Sequence, residues 1–245
     1  MGSNMSTKVT YNVDLVFCID ATASMGDLIN VVKVNAINLY QDIIQTMAQK
    51  QKVINKIRVK VIAFRDYIYD RENAMLTTRF FNLPEEADLL KNLIGQITAM
   101  GGGDDPEDGL EALAFAMRSD WDKEGMKKRH VIVVWSDAAT HPLGYGREAA
   151  NYPQQMPKTF GELTAWWGSK QCPGYMNNQA KRLLLFTPDK EGWKTISDTW
   201  DNVIHFPSEA GKGLQNVDYK TIIDAIANTI EAILNLIYFN GKDYG

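Results

Sequence analysis

The sequence predicts an α/β fold of the doubly wound type, in which a mostly parallel sheet carries helices on both faces. Three nearly continuous apolar runs, at 13–19, 130–136 and 182–187, indicate strands that are buried on both faces. Two longer stretches, 28–49 and 217–239, place apolar residues at helical spacing and indicate amphipathic helices. Strands that alternate with helices are typical of a parallel sheet covered on both sides.

The same patterns predict the remaining elements in chain order. We expect further strands at 56–68, 78–82 and 202–206, and further helices at 84–97, 110–117, 160–167 and 191–200. The least regular stretch, 138–181, is interpreted as an elaborated loop on the same sheet edge as Asp20 and Asp137. No repeat or linker divides the chain, so one domain is expected over residues 9–240. Residues 1–8 are expected to be disordered or added to the natural sequence, and residues 241–245 to form a tail.

Composition narrows the function classes. The net charge of −4, without a basic stripe, argues against nucleic-acid binding. No apolar run is long enough to span a bilayer, and no signal peptide is evident, so no membrane partner is expected. Two cysteines, Cys18 and Cys172, cannot build a disulfide framework, which favours a reduced, cytoplasmic protein.

Oxygen-bearing side chains follow two of the predicted strands. Asp20, Thr22 and Ser24 come directly after the first strand, and Asp137 follows the strand at 130–136. Because ligands of open parallel sheets bind at the carboxyl ends of the strands, we expect these side chains to converge. Hard oxygen ligands of this kind suit Mg²⁺, with Mn²⁺ or Ca²⁺ as alternatives. Without a cation, the converging carboxylates would raise one another's pKa values.

Two further loops contribute carboxylates to the predicted site. The glycine-rich loop at 101–109 supplies Asp104, with Asp105 as the alternative ligand. Asp66 lies where the apolar pattern of the second predicted strand ends, and there it either hydrogen-bonds a metal-bound water or caps a turn.

Three nearby residues are expected to have structural roles. Glu107 and Asp108, like Asp105, are interpreted as carboxylates favoured at a helix N-terminus. His141 is interpreted as a structural or surface histidine, because the predicted ligands around it are hard oxygens.

These segments resemble the von Willebrand factor type A family. Residues 20–24 (DATAS) resemble its Asp-x-Ser/Thr-x-Ser signature, and residues 131–137 (VIVVWSD) resemble its later strand that ends in aspartate. The glycine loop and helix at 101–113 also resemble the family, and the similarity extends over about 13–239. The GGGDxPED pattern and the FRDY segment at 64–67 are most similar to bacterial-type and alpha-kinase-associated members.

The resemblance implies a Rossmann-like sheet with a metal-ion-dependent adhesion site (MIDAS). It implies that Thr22 and Ser24 ligate Mg²⁺ directly, that Asp20 holds it mostly through water, and that Asp137 lies behind these ligands. Asp104 stands where adhesion domains carry threonine, so the site is richer in negative charge and less suited to capture of a ligand carboxylate.

The favoured function is a non-enzymatic, metal-dependent module that binds a protein partner. The chain has no Walker A loop and no G-x-S-x-G elbow. The rim of the partner site is expected to be aromatic: Tyr145, Tyr152, Trp166, Trp167 and Tyr175. One alternative is a Mg²⁺-dependent hydrolase of phosphate esters, although aspartyl-phosphate enzymes carry an aspartate where Thr22 stands. Another is a structural domain that binds no metal.

Overall fold

The computed structural model describes residues 9–35, 38–103, 106–210 and 218–231. The predictions for Asp104 and Asp105, for residues 1–8 and for the tail at 241–245 lie outside these described residues. The elements run in the order β1 (Thr10–Asp20), α1 (Gly26–Asn35), α2 (Asn38–Gln49), β2 (Val53–Phe64), β3 (Met75–Thr77), β4 (Phe81–Leu83), α3 (Ala87–Gln96), α4 (Gly109–Met117), β5 (Lys127–Trp135), α5 (Phe160–Trp167), β6 (Lys181–Pro188), α6 (Trp193–Thr199), β7 (Val203–Ser208) and α7 (Tyr219–Glu231).

The described strands form one sheet in the order β3-β2-β1-β5-β6-β7, with β4 also paired to β2. The five strands from β2 to β7 in this order run parallel, and the short β3 and β4 run antiparallel to β2. Helices α1, α2, α3 and α7 cover one face of the sheet, and α4, α5 and α6 cover the other. The predicted doubly wound α/β fold is confirmed.

Strand β1 is the centre of the sheet because both of its faces are apolar. Leu15, Phe17 and Ile19 point into the core beneath α1, α2, α3 and α7. Val16 and Cys18 point into the core beneath α4, α5 and α6. A strand of this composition cannot lie at an edge or face water without exposing one of its apolar rows. Its carboxyl end is therefore held deep between two covered strands.

Two predicted elements differ in detail. The stretch 28–49 contains two described helices, α1 and α2, and residues 36–37 between them lie outside the described residues. The strand predicted at 78–82 is wrong, since the structure has β3 before it and β4 overlapping its end. Thr78 lies between them. Its amide donates to the Val61 carbonyl at 3.0 Å, but the Val61 amide donates to Thr78 Oγ1 instead of to a backbone carbonyl, so the ladder is incomplete there.

The long segment 138–181 does not stay at the carboxyl edge. Lys181 Nζ, at the start of β6, donates hydrogen bonds of 2.6 and 2.8 Å to the carbonyls of Trp167 and Gly168. The end of α5 therefore lies at the amino end of β6, and the expectation that the whole segment borders the predicted site is wrong. Among the described residues, no helix is both long and apolar enough to cross a bilayer.

Candidate metal centre

The ends of three parallel strands position the candidate site. Asp20 is the last residue of β1 and pairs with Phe64 at the end of β2, and Ile19 pairs with Trp135 at the end of β5. The loops that follow these strands therefore leave the sheet side by side. This register explains why side chains far apart in the sequence meet at one edge.

Four predicted ligands form a connected network. Thr22 Oγ1 donates a 2.6 Å hydrogen bond to Asp20 Oδ1, which also accepts from the Thr22 amide at 2.9 Å. Ser24 Oγ donates to Asp137 Oδ1 at 2.9 Å and lies 3.4 Å from Thr22 Oγ1. The structure thus brings the oxygens after β1 into direct contact with the aspartate after β5.

Asp20 is fully buried, and its environment opposes its charge. Burial raises the pKa of the Asp20 carboxyl to about 6, while hydrogen bonds from Thr22 and Ser136 act in the opposite direction. The nearby Asp137 raises the pKa further. A buried carboxylate beside another one gains most from a bound cation, because the cation stabilises the charged form that burial disfavours.

The glycine loop approaches this network closely. Gly102 has a φ of +82°, which a side chain rarely adopts, and a Cβ there would lie 3.2 Å from Thr22 Cβ and 3.1 Å from Glu107 Oε1. The close approach brings Glu107 beside the site, although sequence reasoning expected only a helix-terminal carboxylate. Burial, with Asp20 and Asp66 adding to it, raises the pKa of Glu107 to about 10. Its sequence context, a proline-glutamate pair before a helix, gave no signal of this position.

Arg65 is a second residue that sequence reasoning missed. Its guanidinium donates hydrogen bonds of 2.6–3.0 Å to four backbone carbonyls from three loops, those of Ala21, Asn73, Thr98 and Met100. A planar group with several fixed donors suits such simultaneous contacts. Arg65 therefore ties the loop after β1 to the glycine loop and to the turn before β3.

Backbone hydrogen bonds join the loops more directly. The Asp108 amide donates to the Arg65 carbonyl at 3.2 Å, and the Glu107 amide donates to the Ala139 carbonyl at 3.0 Å. The His141 amide donates back to the Glu107 carbonyl at 2.9 Å. The short segment before α4 thus lies between the loops after β2 and β5 and is bonded to both.

Asp66 caps a turn and also takes part in a separate cluster. Its Oδ1 accepts from the amides of Ile68 and Tyr69 at 2.5 and 2.9 Å, which is the turn-capping role considered from the sequence. Its Oδ2 lies 2.8 Å from His141 Nε2. Asp66, Asp108 and His141 are all buried, and one ligand atom from each lies within 4.8 Å of the others. His141 is therefore buried among carboxylates and is not a surface residue.

The expected aromatic rim is only partly present. Tyr145 is 42% exposed and lies beside His141. Trp167 is fully buried and stacks on Trp200, so its assignment to the rim is wrong. Tyr175 contacts Trp166 near the amino end of β6, away from Asp20. Burial and stacking explain the position of Trp167, whereas Tyr175 is 57% exposed but lies at the other end of the sheet from Asp20.

Comparison with known proteins identifies the fold family. The family model described as von Willebrand factor A domain matches residues 14–141. Solved structures that match part of the chain include the pilus adhesin SpaC from Lactobacillus rhamnosus GG in its open conformation, at 13% identity and a TM-score of 0.38, covering 52% of this chain and 15% of SpaC. They also include the vWF domain of the type V pili tip protein Mfa5 from Porphyromonas gingivalis, at 20% identity and a TM-score of 0.35, covering 55% of this chain and 40% of that one.

This chain therefore spans less than half the length of each of these two solved structures. A search of curated proteins found no significant match. The family model covers just over half of the sequence, including β1, β2, α4 and β5, which carry the network around Asp20. On this evidence, the chain belongs to the von Willebrand factor A domain family.

Proposed function

We propose that this domain binds a protein partner through a divalent cation, Mg²⁺ in the first instance, at a MIDAS-like site. The observation that carries the proposal is the hydrogen-bonded network that joins Asp20, Thr22, Ser24 and Asp137. Residues that converge from two separate strand ends on one buried carboxylate are the arrangement that an oxygen-binding cation requires.

The donor chemistry of the network fits Mg²⁺. Each of the four side chains offers a carboxylate or hydroxyl oxygen, and none offers nitrogen or sulfur. Thr22 and Ser24 would hold the ion directly, and Asp20 and Asp137 would orient the hydroxyls and supply negative charge. The ion would supply a positive centre open to one oxygen of a partner. Asp104 and Asp105, which lie outside the described residues, stay predicted contributors from the glycine loop.

Exposed apolar residues beside the network support a protein partner. Tyr69 is 52% exposed, and its ring packs against Gly103 in the glycine loop. The neighbouring Ile68 is 42% exposed. Exposed aromatic and aliphatic side chains next to a polar centre are typical of interface anchors. Together with Tyr145, these residues form the rim that we assign to the partner site.

Calorimetry with Mg²⁺ tests the metal part of this proposal. The wild type is expected to bind Mg²⁺, and the Thr22→Ala, Ser24→Ala double variant is expected to lose at least tenfold in affinity. A Ser197→Ala, Thr199→Ala variant on α6 is the matched control, since it removes two hydroxyls at the same spacing and should bind like the wild type. Equal Mg²⁺ affinity in all three proteins would refute the assignment.

Capture of partners from source-cell lysate tests whether the domain binds a protein partner through the metal. Bound proteins are expected to be retained in Mg²⁺, released by EDTA, and absent from the double variant and from a Tyr69→Ala variant. If the same proteins stay bound in EDTA and also bind both variants, the partner site lies elsewhere on the domain. Hydrolysis of a phosphate ester in Mg²⁺ that disappears in Asp20→Ala would instead favour the hydrolase alternative.

A further inference from the structure

We infer that a second divalent cation, of the d-block class represented by Zn²⁺, binds between Asp66, Asp108 and His141. The three side chains are buried, and one ligand atom from each lies within 4.8 Å of the others. Mixed carboxylate and imidazole donors are typical of sites for Zn²⁺, Mn²⁺ or Co²⁺, whereas Mg²⁺ prefers oxygen alone. This site shares no proposed ligand with the network around Asp20.

Backbone amides already orient both carboxylates of this cluster. Asp66 uses Oδ1 to accept from the amides of Ile68 and Tyr69. Asp108 uses Oδ2 to accept from the Tyr67 amide at 2.7 Å. Hydrogen bonds of this kind fix the direction of a metal-binding carboxylate and are a regular part of metal sites. The turn after β2 therefore fixes both aspartates before any ion arrives.

Two buried carboxylate oxygens support a cation site at this cluster. Asp66 Oδ2 accepts no hydrogen bond from the described residues, although His141 Nε2 lies 2.8 Å away. Glu111 is fully buried, and within the described part of the chain its Oε2 likewise has no donor. Its Oε1 accepts from the Gly144 amide and the Tyr152 hydroxyl at 2.7 and 2.8 Å.

Glu111 faces this cluster rather than solvent. Burial raises the pKa of its carboxyl, and the electrostatic interaction with His141 opposes that rise. A carboxylate oxygen buried without a donor is costly unless a positive charge compensates it. A divalent cation would satisfy Asp66 and Asp108 as ligands and would reduce the cost of burying Glu111.

The imidazole of His141 is held in a fixed plane. Its ring stacks on Tyr145 with centroids 3.8 Å apart and planes 10° apart. Tyr145 is 42% exposed, so its ring lies between His141 and solvent. Ligand atoms that share an ion at bond lengths of about 2.0–2.2 Å lie at most about 4.4 Å apart. The three ligand atoms lie within 4.8 Å of one another, so their separations are close to those that a shared ion needs.

Zinc binding by the purified full chain tests this inference. After chelator treatment and dialysis against Zn²⁺, the wild type is expected to carry one Zn²⁺ that a competing chromophoric chelator removes only at high concentration. The substitutions His141→Gln and Asp66→Asn nearly preserve the shape of the side chain. Each is expected to lower the affinity for Zn²⁺ by at least a hundredfold. His205→Gln is the matched control, because His205 lies on β7 and pairs with Thr187.

Two further measurements keep the outcome clear. The Thr22→Ala, Ser24→Ala variant should keep its Zn²⁺ while losing Mg²⁺, so that failure of one site is distinguished from failure of the other. In the wild type, NMR should show that Zn²⁺ shifts one of the three histidine ring signals, and that this signal persists in His130→Gln and His205→Gln. The inference is overturned if no ring signal shifts. It is also overturned if the Thr22→Ala, Ser24→Ala variant loses Zn²⁺ while His141→Gln keeps it.

Discussion

Ser136 Oγ donates a 2.7 Å hydrogen bond to Asp20 Oδ2, and thereby joins the residue after β5 to the residue that ends β1. The same hydroxyl accepts from the Ala138 amide at 3.1 Å. One serine thus stabilises the negative charge of Asp20 and shapes the turn that carries Asp137.

Replacing Ser136 with alanine should weaken Mg²⁺ binding without touching a proposed ligand. A hydrogen bond to a charged group contributes about 1.5–3 kcal/mol, so the affinity is expected to fall by about tenfold or more. Calorimetry at constant pH measures the change. Ser208→Ala is the control, because Ser208 Oγ donates only to the Ser136 carbonyl, at 3.5 Å. Unchanged affinity in Ser136→Ala would contradict the role assigned to the hydrogen bond from Ser136 to Asp20.

Replacing Arg65 with lysine should destabilise the fold. A lysine has a single ammonium group and cannot reach four carbonyls in different directions, so buried acceptors lose their donors. We expect the free energy of unfolding to fall by about 2–4 kcal/mol, measured by urea denaturation. Arg71→Lys, at an exposed position, should change it by less than about 0.5 kcal/mol. Equal stability of the two variants would contradict the role assigned to Arg65.

Two glycines in helices should respond in opposite directions to alanine. A Cβ on Gly109 would lie 2.5 Å from the ring of Trp193, so Gly109→Ala should cost about 1–3 kcal/mol of unfolding free energy. Gly95 has no atom within 4 Å of that position, so Gly95→Ala should stabilise α3 by about 0.5–1 kcal/mol. Thermal and urea unfolding measure both. Destabilisation by Gly95→Ala, or none by Gly109→Ala, would contradict the packing described for these helices.

His130 should make the protein less stable in mild acid. Its Nε2 lies 2.8 Å from the Asp122 carbonyl and its ring stacks on Trp121, and burial lowers its pKa below the usual 6.5. The unfolded state therefore binds a proton at higher pH than the folded state does, and the unfolding free energy falls as the pH drops through about 6.5.

Urea denaturation at several pH values tests this dependence. His130→Gln cannot be protonated, so its unfolding free energy should fall less between pH 7.5 and pH 5.5 than that of the wild type, by about 1 kcal/mol. The variant is expected to be less stable than the wild type at pH 7.5, because glutamine does not reproduce the stacking on Trp121. A wild-type pH profile in the variant would mean that another group causes the acid sensitivity.

The sheet could be predicted because the sequence of each central strand is itself largely apolar. β1, β5 and β6 are continuous apolar runs, and an aspartate follows or ends the first two, so their carboxyl ends could be located from sequence alone. The contacts among Asp20, Thr22 and Ser24 follow from spacing within one turn. The protein partner, the metal and the cytoplasmic location stay predictions.

The rest of the site depends on contacts between segments far apart in the chain. Arg65 follows a strand as an ordinary basic residue would, and only the folded loops bring four carbonyls around it. The sequence places His141 four residues after Asp137, whereas its neighbours in space include Asp66 and Asp108. These contacts form because backbone hydrogen bonds hold distant loops side by side. The spacing of residues within one segment therefore does not predict them.

The main-chain hydrogen bonds of Glu107 and Asp108 have a mechanical consequence. Glu107 is bonded to Ala139 and His141, and Asp108 is bonded to the Arg65 carbonyl, so a displacement of this segment stretches bonds on both of its sides. Side-chain substitutions leave these bonds in place. A displacement of this segment therefore acts on the loops after β2 and β5 together, and the main chain couples these two strand ends independently of the side chains.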